Sequence, residues 1–152
     1  MKFVLDASVA LSWLLEDAGA GQEYAVTVFD TLTREGAQAQ VPVTWGLEIA
    51  NGIAKSERGG DLLEARSRAF LASLAAAPII CDDATYAKAL DETLDLARRY
   101  RLSSYDASYL ELAMRAALPL ATLDADLRRA AARAGVKRFM PPDSRPSATT
   151  PR

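Results

Sequence analysis

Short apolar runs alternate along this chain with stretches whose apolar residues recur every three or four positions, the two signatures of strands and helices. Phe3-Val4-Leu5 reads as a buried strand that ends abruptly on Asp6. Ser8 stands where an N-cap belongs, and Val9, Leu11, Trp13, Leu14 and Leu15 predict a short, largely buried helix. Gly19 and Gly21 interrupt it. Ala25, Val28, Phe29 and Leu32 give helical spacing over Tyr24–Arg34, with Gly36 as its stop. Residues 40–43 read as a short strand whose proline suits an edge or a strand end. Thr44 can cap a helix to about Ser56, which Gly59-Gly60 closes, and Asp61 opens another that runs to Pro78.

The second half repeats the alternation. Ile79-Ile80 is a short strand or an extended connector. Asp83–Arg101 reads as one long amphipathic helix, with Ala87, Leu90, Leu94, Leu96 and Ala97 toward the core. Ser103 or Ser104 caps the next helix, through Leu118. Leu120–Thr122 reads as a strand, Asp124 caps a helix through Ala134, and residues 136–140 form the expected last strand. Strands alternating with helices imply an α/β fold, a three-layer α/β/α sandwich around a central, mainly parallel sheet with right-handed crossovers. One domain is expected over residues 1–140. Residues 141–152, composed of Pro, Ser, Thr, Asp and Arg with one alanine, read as a disordered tail.

This reading gathers the acids on one rim. Ligands of parallel α/β sheets bind beyond the carboxyl ends of the strands, where the strand order reverses. Asp6 follows the first strand, and Asp124 lies two residues past Thr122. Asp106 falls in the first turn of the helix leading to that strand, and Glu48 in the first turns of the helix after Val43. Asp126 is a possible fifth. Each has an ordinary structural role open to it: Asp6 supporting a turn, Asp106 in a capping box with Ser103, Asp124 as an N-cap, Asp126 favouring a helix dipole. Glu48 suits that account worst, because it sits between Leu47 and Ile49 in a helix with few other charges.

Composition sharpens the chemistry. The 152 residues hold no histidine and one cysteine, so histidine-dependent triads, His-ligated zinc and thiolate clusters are excluded. The lone Cys81 cannot form an internal disulfide, which makes a reducing cytoplasm the expected compartment. The first apolar run is too short for a signal peptide, and no run approaches a membrane span. Several carboxylates on one rim repel each other unless a hard cation neutralises them. Oxygen-only donors favour Mg²⁺ or Mn²⁺, which can activate water against a phosphoryl group. Ser8 and Thr122, each two residues from an acid, can orient carboxylates or bound water.

The segments FVLDASVALSWLLED, VPVTWGLEIANGIAK and LSSYDASYLELAMRAALPLATLDADLRRAA, in this order and separation, resemble PIN-domain ribonucleases, most closely the VapC-like toxins of bacterial toxin–antitoxin pairs. The likeness spans roughly residues 2–140. It implies a Mg²⁺- or Mn²⁺-dependent endoribonuclease in which Asp6, Glu48, Asp106 and Asp124 are catalytic metal ligands and Ser8 belongs to the opening motif. Asp126 is a less settled ligand, since members vary there. A homodimer, a cognate antitoxin protein and a structured RNA substrate, often transfer RNA, are implied as well.

Rival readings account for fewer residues. A phosphatase of the haloacid dehalogenase type needs a second acid where this chain has Ser8, and an adhesion-type metal site needs a serine where it has Ala10. Both leave Glu48 and Asp106 without a task. A silent PIN-like module that binds metal and a partner stays open. Arg128, Arg129 and Arg133 are the candidate RNA contacts beside the fourth acid, set against their ordinary reading as a solvated helix face, because a net charge of -2 offers no general attraction to nucleic acid. Apolar surface on the first helices and on residues 61–77 is where two subunits are expected to pair.

Overall fold

Side-chain alternation along the first strand decides the architecture. In β1 (Lys2–Leu5), Phe3 and Leu5 enter one apolar core while Val4, between them, enters a second on the opposite face. Both faces of the sheet are therefore covered. The computed structural model describes residues 1–15, 19–34 and 36–142. The first core is built with α1 (Ala7–Leu14), α2 (Ala20–Arg34), α3 (Trp45–Arg58) and, more loosely, α4 (Glu64–Ala76). The second is built with α6 (Glu92–Tyr100), α7 (Ser104–Ala116) and α8 (Ala125–Arg133), while α5 (Thr85–Lys88) is a single turn after the third strand. The result is the expected three-layer sandwich.

The remaining strands are β2 (Gln38–Val41), β3 (Ile79–Cys81) and β4 (Leu120–Ala121), all parallel, in the order β3–β2–β1–β4. The chain steps outward from β1 to β3 and then returns across the sheet to β4. The reversal falls between β1 and β4, whose register pairs Leu5 with Ala121, so Asp6 and Thr122 emerge side by side at the crevice. Helix α7 is the central pillar of the second layer: Ala107 to Ala113 are buried without interruption.

Several boundaries differ from the sequence reading. Helix α1 starts at Ala7, so its N-cap is Asp6 and not Ser8. Helix α2 starts at Ala20 and takes Gly21 inside it. The second strand sits two residues earlier than expected, because Ala39 and Val41 are the residues that face the core. Asp61 belongs to the end of α3: with Gly60 at φ +81°, its N–H returns to the Ser56 carbonyl. Helix α4 then starts three residues later, at Glu64. The expected helix over 83–101 is two, broken at Asp91, whose backbone is far from helical (φ -124°, ψ -101°), and this leaves Leu90 88% exposed. The expected last strand is reduced to one bridge, Leu120 with Arg138, flanked by two backbone hydrogen bonds. It cannot extend, because β4 itself is two residues long. From residue 143 the expected tail lies outside the described residues.

Candidate metal and active site

Asp6 is the best-defined member of the rim. Its N–H donates to the Ala121 carbonyl (3.0 Å), which fixes the backbone, and its side chain is buried at 3% exposure. The carboxylate does not cap α1. Instead the hydroxyls of Ser8 and Thr122 both donate to Oδ2, each at 2.6 Å. Those hydroxyls are held in turn: Thr122 Oγ1 accepts from the Asp124 N–H (3.0 Å) and Ser8 Oγ accepts from the Leu123 N–H (3.1 Å). Both residues thus orient the carboxylate, as their spacing implied. Burial still raises the pKa of Asp6, against the lowering by Ser8 and Thr122, and repulsion from Asp124 adds to the rise.

Glu48 has the partner that its apolar surroundings demanded. Tyr109, wholly buried in α7, donates its hydroxyl to Glu48 Oε1 (2.9 Å) and accepts from the Ala7 N–H (3.3 Å). One phenol thereby ties α3 to the start of α1, beside Asp6. The same approach explains Gly52 of α3, where a Cβ would come within 2.8 Å of the Leu11 side chain. Sequence reasoning passed over Tyr109, although its place three residues after Asp106 put it on the same helix face.

Asp106 and Asp124 do two things each. Ser103 is the N-cap of α7 and accepts from the Asp106 N–H (3.1 Å), and Asp124 Oδ1 caps α8 through the Leu127 N–H (2.7 Å). The Asp106 carboxylate nevertheless feels the rim. Burial and the charges of Asp124 and Asp6 push Asp106 up to about 6. Burial, and then the charges of Asp6 and Asp106, push Glu48 up to about 7 despite the Tyr109 hydrogen bond. Asp126 differs: it is exposed and ion-paired with Arg129, reaching the site only through a weak repulsion of Asp106. The four acids stand close enough to repel one another, yet among the described residues no three of them form a ready cage for an ion.

That repulsion has a measurable sign. Folding raises the pKa of Glu48 and Asp106, so the folded state holds more protons than the unfolded state between their ordinary values and about 6 to 7. Stability is then full below the ordinary carboxylate range and is lost as pH climbs through 6 and 7. Without histidine, no other side chain has its ordinary titration in that window. Thermal melts in EDTA should give a Tm about 4 °C or more higher at pH 5 than at pH 7.5. A flat profile would mean the carboxylates do not share one field.

The candidate RNA-contacting arginines divide. Arg129 is engaged with Asp126, Arg133 lies over the Tyr100 ring at 5.5 Å, and Arg128 is near enough to Tyr24 to affect it electrostatically. Arg99 also faces Tyr100, at 5.7 Å. One acid past a strand end was missed altogether: Asp82, after β3, is paired with Arg115 of α7.

The described residues include no helix long and apolar enough to cross a membrane. Among solved structures, the crystal structure of PAE2754 from Pyrobaculum aerophilum matches with a TM-score of 0.62 at 22% sequence identity, over 86% of this chain and 84% of that chain. No curated protein sequence matches the chain. The family model that matches is the PIN domain, generally a nuclease fold served by divalent metals, and it runs over residues 3–133. With that coverage, and with the acids of β1, α3, α7 and α8 gathered where the strand order reverses, the chain belongs to the PIN-domain family.

Proposed function

We propose that this chain is a Mg²⁺- or Mn²⁺-dependent endoribonuclease and the toxin of a toxin–antitoxin pair. The observation that carries the reading is the mutual repulsion of Asp6, Glu48, Asp106 and Asp124 at the switch point of the sheet. A purely structural set of caps gains nothing from that repulsion, whereas a hard cation removes it. The donors are all oxygens, which suits these two ions.

Asp6, Glu48, Asp106 and Asp124 would hold the ion, which supplies positive charge for the phosphoryl oxygens and lowers the pKa of the attacking water. The chain's own part is positioning. Ser8 and Thr122 fix the Asp6 carboxylate through their two short hydrogen bonds, and Tyr109 fixes Glu48. Hydrolysis by water leaves a 5′-phosphate and a 3′-hydroxyl, and a cyclic phosphate would contradict it. Transfer RNA is the first substrate to try.

The surface offers room for the protein partners this reading needs. Ser67 is the one fully buried residue of α4, and an apolar cleft of about 610 Å³ separates that helix from α3, between Trp45, Ile49 and Ile53 on one wall and Leu71 and Leu74 on the other. An antitoxin segment, or a second copy of the chain, would cover it.

The test is digestion of total RNA with Mg²⁺, with Mn²⁺ and with EDTA, followed by mapping of the product ends. Discrete cuts with either ion, none in EDTA, and 5′-phosphate termini are expected. Intact RNA under all three conditions, transfer RNA included, would favour the silent metal- and partner-binding module.

A further inference from the structure

Beside the rim lies a second cavity of about 460 Å³, between the first turns of α3 and α7. Glu48 and Asp106 form its inner wall. Its outer wall is different in kind: Leu47 is 72% exposed and Tyr105 57% exposed, an aliphatic and an aromatic side chain held in solvent directly beside two carboxylates. Isolated exposed apolar residues need no explanation, but two of them flanking a cavity that opens on the acids do.

Thr44 takes the N-cap position of α3 with helical backbone angles, so its hydroxyl makes no cap, and Oγ1 is closed to solvent and offers nothing to a ligand. Asn51, one turn beyond Leu47, lines the same cavity, and its side chain makes no hydrogen bond among the described residues. Its amide can donate and accept at once. Among the described residues, no lysine or arginine lines the cavity to bind a phosphate there. What suits an aromatic face, an aliphatic edge and an amide is a flat, uncharged heterocycle with polar edges.

Resting on the nuclease reading above, we propose that this cavity is a nucleobase subsite: an unpaired base next to the scissile phosphate stacks on Tyr105 against Leu47, and Asn51 hydrogen-bonds its edge.

The experiment compares wild type, Tyr105→Ala, Tyr105→Phe and Asn51→Ala as full-length chains on a short single-stranded RNA library with Mg²⁺. Wild type should show a base bias at one position beside the cut. Tyr105→Ala should raise KM about 10-fold and flatten the bias, as loss of one stacked base does, Tyr105→Phe should keep both, and Asn51→Ala should change which base is preferred. The same library is also bound in EDTA, where no cleavage is needed: Tyr105→Ala should weaken binding about 10-fold. Equal affinity of wild type and Tyr105→Ala in EDTA, or equal KM and bias, overturns the subsite. Absence of cleavage by wild type with a Tyr105-dependent affinity would instead overturn the nuclease reading and keep the subsite. Tyr105 is exposed enough that melting curves should coincide, which separates these outcomes from misfolding.

Discussion

Asp6→Asn should cleave RNA at least about 1,000-fold more slowly than wild type and, in EDTA at pH 7.5, melt at a higher temperature. Both halves follow from one carboxylate. Asn keeps the shape of Asp and offers one oxygen to the Ser8 and Thr122 hydroxyls, which donate at 2.6 Å each. It removes the charge, and with it the most buried of the proposed metal ligands. Loss of several kcal/mol of transition-state stabilisation corresponds to the expected drop in rate. In the metal-free chain the same charge is a burden, since burial and Asp124 both work against it. Relief of even about 1 kcal/mol reads as roughly 2–4 °C in a chain of this size. Wild-type cleavage by the variant would remove Asp6 from the metal site. Slow cleavage with a lower Tm would make the carboxylate a structural element, and the activity loss would then say nothing about metal.

The residues of the rim were unequally legible in the sequence. Asp6 and Asp124 could be placed because each closely follows a short apolar run, and that pattern is local. Ser8 and Thr122 followed by spacing, and Ser103 and Asp124 proved to be the caps their positions suggested. Glu48 announced that it needed a partner, but Tyr109 lies 61 residues away and only the packing of α3 on α1 and α7 brings them together. The break at Asp91 had no local signal, for residues 83–101 contain neither Gly nor Pro. It comes from two tethers on either side of it. Thr85 is buried and bound to Asp82 and to the Val43 N–H, while α6 lies along α7. The short last strand was misread for a related reason: Thr122 turns out of the sheet to reach Asp6, so β4 ends before a fifth strand can pair along it.

Arg115→Ala should destabilise the fold by about 2–3 kcal/mol, the largest loss of stability expected from any surface-reaching residue. Arg115 is the hub of a three-membered ion network. Its guanidinium donates to Glu111 at 2.8 and 3.2 Å and, through two nitrogens, to Asp82 at 2.8 and 3.2 Å. Removing one partner of an exposed pair costs little, but here the two acids left behind are shielded: the Glu111 side chain is 6% exposed and that of Asp82 12%. Two nearly buried carboxylates would then lose the cation they share. The network also joins the turn after β3 to the pillar α7, so its loss loosens the turn that carries α5. Chemical denaturation of wild type and variant checks the magnitude. Adding Glu111→Gln and Asp82→Asn to Arg115→Ala should return most of the lost stability, because the penalty lies in the stranded charges and not in the missing contacts. If the triple variant is no more stable than Arg115→Ala, the loss comes instead from the packing of the arginine stem against α6 and α7.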